Sequence, residues 1–122
     1  MEVDREALQL IAATATLTGS HGWKEPTEKM MDAMVAARPA DPDALAMVAS
    51  IQLMLNDVEG AKKRIADHVM PIAPEHSFAK AVLVMIHHSK DEKAERDALC
   101  KAIIAADDDP DAVTVAKEVM GS

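Results

Sequence analysis

The sequence has no tyrosine, one tryptophan and one phenylalanine, so aromatic residues make up only 2% of its 122 positions. Strands draw on aromatic and β-branched side chains to fill a pleated, half-buried surface, and so thin a supply argues against a sheet. The 49% of the chain that is hydrophobic consists mostly of Ala, Val, Leu and Ile, with nine Met. Small and flexible side chains suit closely packed helices. The composition predicts an all-α fold, and the length predicts one domain over residues 1–122.

Basic residues are also scarce. Thirteen Lys and Arg face twenty-one Asp and Glu, a net charge of −8, and the basic ones sit among acids, as in Glu59-Gly60-Ala61-Lys62-Lys63-Arg64. Phosphate backbones and anionic membranes demand clustered positive charge, so neither nucleic acid nor a membrane surface is an expected partner. A single cysteine, Cys100, cannot close an intrachain disulfide, and no apolar run reaches bilayer length. The opening MEVDREALQL is acidic and lacks the basic start of a signal peptide, so a cytoplasmic location is expected.

Signatures of chemistry are missing as well. His87-His88 with His68, His76 and Asp91 could suggest a metal, but adjacent helical histidines point about 100° apart, and no HExxH or CxxC occurs. Asp107-Asp108-Asp109 followed by Asp111 lacks the glycine and terminal glutamate of a calcium loop, and Asp109 reads as a helix N-cap instead. Cys100 has no nucleophile signature around it and reads as a small buried hydrophobe. With no phosphate-binding loop either, neither an enzyme nor a bound cofactor is expected.

What the sequence does contain is punctuation. Asp41-Pro42-Asp43-Ala44-Leu45 returns as Asp109-Pro110-Asp111-Ala112-Val113, 68 residues later and thus at twice a spacing of 34. Pro39, Pro74 and Pro110 recur at intervals of 35 and 36. Between these stops, apolar residues at helical spacing predict helices over 3–18, 26–38, 43–55, 58–69, 76–88, 92–106 and 111–120. The breaks fall at Gly19-Ser20-His21-Gly22, at Asn56-Asp57 with Asp57 as N-cap, and at Ser89-Lys90-Asp91. The result is three helix pairs, about 3–38, 43–70 and 76–106, and a capping helix at 111–120. An ordinary bundle with coincidental proline stops is the alternative.

The 34-residue spacing is that of tetratricopeptide helix pairs. The central pair resembles that pattern where the pattern is packing: Ala49 and Ala61 stand at its small positions, Ile65 at a bulky one and Pro74 at the terminating proline, while Leu45 and Gln52 stand near its missing Trp and Tyr. Within that class the chain is similar to the type III secretion needle-subunit co-chaperones, chiefly through Pro74-Glu75-His76-Ser77-Phe78-Ala79-Lys80-Ala81 and Ala106-Asp107-Asp108-Asp109-Pro110-Asp111-Ala112-Val113. The resemblance implies a small solenoid that cups the amphipathic helix of a needle subunit, together with a second small helical chaperone. It implies no catalytic residue.

In such repeats the first helix of each pair faces the groove. Met47, Ile51 and Met54 on the third helix, and Val84, Met85 and His88 on the fifth, are then the expected partner-binding residues. Core packing is the competing role for each of them, and Lys80 is the main basic residue on these inward helices. A generic tetratricopeptide adaptor or a secretion-apparatus assembly factor is the alternative function.

Overall fold

A computed structural model describes the backbone of residues 5–121 and the side chains of that span except those of residues 5 and 7–9. The expected start at residue 3, and the side chains of Val3, Asp4 and Ala7, lie outside the described residues. Among the described residues seven α-helices form: α1 (Arg5–Ser20), α2 (Lys24–Ala37), α3 (Pro42–Met54), α4 (Val58–Arg64), α5 (Ser77–Ser89), α6 (Lys93–Ala106) and α7 (Pro110–Gly121). No strand occurs among the described residues, and the fold is all-α.

Each boundary has a local cause. Pro42 and Pro110 occupy first-turn positions, where a missing N–H costs nothing. The preceding aspartates cap both helices in the same way. Asp41 Oδ1 accepts from the N–H groups of Asp43 and Ala44 (2.9 and 3.4 Å), and Asp109 Oδ1 from those of Asp111 and Ala112 (3.0 and 3.2 Å). The repeated Asp-Pro-Asp-Ala phrase is thus a repeated cap. Asp57 caps α4 through the N–H of Gly60 at 3.1 Å. After α4 the helix widens into a π-helical turn over Ile65–Val69, closed by Met70 N–H to Ile65 C=O at 2.9 Å. Pro71 follows, and in a continuing α-helix its ring would collide with the carbonyl four residues back. The widened ladder ends there.

The first hairpin departs from expectation in one respect. Gly19 does not end α1; it lies inside the helix, where α3 comes so close that a Cβ would stand 3.6 Å from Met54 Cε and 3.7 Å from Ile51 Cγ2. The left-handed residue that ends the helix is Gly22, and Asn56 and Asp91 take the same conformation 34 and 35 residues further on, with φ of 73°, 66° and 57°. At all three hairpins the next residue donates to the carbonyl five positions back: Trp23 to Thr18, Asp57 to Gln52 and Glu92 to His87, at 3.0, 2.9 and 2.9 Å. One turn, built with three different residues, closes every pair.

Polar side chains recur at the same places. Gln52 Nε2 donates to Asp57 Oδ2 at 3.2 Å, and His87 Nδ1 to Glu92 Oε1 at 3.0 Å, each from a first helix to the cap of its partner. In the first pair Thr18 and Thr27, both buried, meet through hydroxyls 2.6 Å apart. Gln52 also accepts from Arg64 Nε at 2.7 Å, so the buried amide is paired on both sides.

Packing is strictly between neighbours. α1 pairs with α2, α3 with α4 and α5 with α6, while α3 rests on α1 and α2, α5 on α3 and α4, and α7 on α5 and α6. Three apolar clusters result, one at each junction between successive units. The first helices carry two flanks, one turned toward the preceding pair and one toward the following pair. Ala12 and Ala15, Ala46 and Ala49, and Ala81 and Val84 are the forward flanks of α1, α3 and α5. Val48 and Ile51, Val82 and Ile86, and Ala112 and Ala116 are the backward flanks of α3, α5 and α7.

Candidate functional site

A third side of the first helices remains open. Asp43, Phe78 and Asp111 hold equivalent places at the starts of α3, α5 and α7, and all three line one pocket of about 450 Å³. Met47 and Phe78 give it an apolar surface, and Asp43, Glu75, Asp108, Asp109 and Asp111 supply the carboxylates around it.

The caps of successive helices hold this pocket together. Ala79 N–H donates to His76 Nδ1 at 3.1 Å, which makes His76 the N-cap of α5. With Nδ1 accepting, the ring hydrogen sits on Nε2 and is donated to Asp43 Oδ1 at 2.6 Å, joining α5 to α3. Ser77 Oγ donates to Asp108 Oδ1 and joins α5 to the segment leading into α7. Lys80 is buried, and its ammonium is taken by Glu75 Oε2 at 3.1 Å, so it is not a basic group of the pocket.

The residues expected to bind a partner divide. Met47 lines the pocket, two helical turns before Met54, which is 39% exposed on the same side of α3 and rests near Gly19. Met85 is 47% exposed and lies two turns beyond Phe78 on α5. His88 is exposed and accepts from Arg96 Nη1 at 2.9 Å. Ile51 and Val84 must be reassigned, because both are fully buried. Ile51 packs backward against α1 and α2, and Val84 forward against α6 and α7. Both belong to the junctions between units. Phe78 is the missed member: half-buried, it packs against the central cluster and also lines the pocket. Its place one repeat on from Asp43 was the available signal.

No family model, curated protein or solved structure matches the chain. The described residues therefore carry the argument alone. Among them no three His, Cys, Asp or Glu side chains are grouped to hold a metal ion, and no helix is long and apolar enough to cross a membrane. A second pocket of about 450 Å³ lies between α2 and the second hairpin, lined by Lys24, Glu28, Asp32, Gln52, Asp57 and Arg64 among others. Its polar groups include the Gln52 bridge, which is structural.

Cys100 sits in the last junction, fully buried. Burial pushes its thiol up from the ordinary range, Asp97 adds to this and Arg96 opposes it. The folded state holds the thiol neutral, so this residue's contribution to stability is intact below the unfolded thiol's pKa of about 8.5. It is lost as pH rises through the folded value. Native protein should therefore react with a disulfide reagent at neutral pH at least about 100-fold more slowly than urea-unfolded protein. Equal rates would show that Cys100 is reachable.

Proposed function

We propose that the chain is a short tetratricopeptide-like array that holds an amphipathic helical client along the open side of its first helices, as a cytoplasmic co-chaperone of a type III secretion needle subunit. The observation that supports this is the run of Met47, Met54, Phe78 and Met85 on α3 and α5, of which Met54 and Met85 are exposed and Met47 and Phe78 are half-buried and line the pocket. Helix-in-groove recognition needs such a stripe, and methionine adapts its unbranched chain to the bound surface. The carboxylates around Met47 and Phe78 favour a client whose apolar stripe is edged by Lys or Arg. They disfavour an adaptor that captures carboxylate-ended peptides, since Lys80 is already committed to Glu75.

Co-expression with a needle subunit should yield a soluble complex of defined stoichiometry. Met47→Glu with Met54→Glu should break it. Each substitution at a central contact costs about 2 kcal/mol or more, and together they weaken binding on the order of 1,000-fold. Circular dichroism of the double variant should match the parent. A complex that survives both substitutions would place the client elsewhere.

A further inference from the structure

The backward flank that α3, α5 and α7 bury has a counterpart on α1 with nothing among the described residues against it. Subtracting the 34-residue offset of the first two hairpins places Thr14 and Leu17 of α1 where α3 carries its backward-flank residues Val48 and Ile51, with Leu10 one turn before Thr14. On α3 these face the preceding pair; on α1, Leu10 is 69% and Leu17 58% exposed. Trp23, 57% exposed and stacked on His21 with ring centroids 5.1 Å apart, extends the same end of the molecule. Three of the largest exposed apolar side chains thus lie on the first hairpin. Exposed apolar surface of this kind marks a contact.

Charge identifies the occupant. From Ala7 to Ser20 the sequence has no charged residue, in a chain that is 28% charged and carries −8 overall. A two-fold contact sets every residue near its own copy, so a charged face repels itself and a neutral one does not. Head-to-tail stacking is a poorer match. On α7 the forward flank carries exposed Thr114 and Lys117 where α3 has Ala46 and Ala49, so it offers no apolar partner for Leu10 and Leu17.

We propose that this face of α1 is the contact between two copies of the chain, related by a two-fold axis. The helices cross antiparallel at Ala13, whose small side chain lets them approach, and Leu10 of one copy meets Leu17 of the other. Trp23 closes the rim of the contact. One helix face and an indole form an interface at the small end of the specific range, where weak and transient contacts lie.

Sedimentation equilibrium of the full chain at micromolar concentrations should give a reversible dimer. Leu10→Glu with Leu17→Glu should give a monomer with the parent's circular dichroism and urea midpoint, since neither side chain is buried within one copy. Added salt should tighten the dimer by screening the charge on each copy. Ala13→Cys should form a disulfide-linked dimer on mild oxidation, and Lys117→Cys on α7 should not. A parent chain that stays monomeric throughout would overturn the proposal. So would a dimer that survives the double variant, or one that salt disperses.

Discussion

Ile65→Ala should lower the free energy of unfolding by about 4 kcal/mol, within the 2–5 kcal/mol range of isoleucine-to-alanine losses in cores. Ile65 is fully buried, begins the π-helical turn and shares a cluster with Leu45, Ala49, Val82 and Ile86. That cluster joins α3, α4 and α5, so the void opens at the junction on which the third pair rests. Neighbour-only packing makes the loss hard to absorb, because no distant helix can move in. A typical domain has only about 5–15 kcal/mol in all, so the variant should approach marginal stability. Urea denaturation followed at 222 nm is the measurement. Ile72→Ala, at an exposed residue just after the same segment, should shift stability by no more than about 0.5 kcal/mol. Equal midpoints for the two variants would show that Ile65 does not hold the junction.

Ala61→Leu is the opposite insult and should cost about 1–3 kcal/mol. Ala61 and Ala49 are both fully buried in the same cluster, and they are small residues on the two helices of the central pair. Three added carbons at Ala61 have no void to enter. Either α4 moves away from α3, stretching the hydrogen bond that Gln52 Nε2 donates to Asp57 Oδ2, or the new side chain leaves its preferred rotamer. Ala105→Leu, at an exposed site on α6, should be close to neutral and separates crowding from the change in helix propensity. A neutral Ala61→Leu would mean that the helices are not held at close approach.

Residues that act through their own backbone were legible without a structure. Asp57 and Asp109 cap helices, and Pro39 and Pro74 forbid continuation. In each case the cause lies within a few residues of the effect. The equivalence of the three hairpin turns was not legible, because Gly22, Asn56 and Asp91 share a conformation and no chemistry. The bridges from Gln52 to Asp57 and from His87 to Glu92 were hidden for the same reason. Gly19 was read as a break although it is a close approach, and the distinction depends on α3, more than twenty residues away in the chain.

The candidate site shows the limit most plainly. Seven of the thirteen residues of α3 are buried, spread nearly all round the helix, so periodicity has no single stripe to find. Met47, Ile51 and Met54 follow one another at helical spacing, yet Ile51 is fully buried against the preceding pair while Met47 and Met54 keep part of their surface exposed. The sequence by itself determined that the fold is all-α and roughly where its helices begin and end, since caps, prolines and helical spacing act locally. Only the tertiary structure decided which side of α3 and α5 meets a neighbouring helix and which stays exposed. A helix apolar on all sides carries no record of its surroundings, and those surroundings are set by the pairs stacked before and after it.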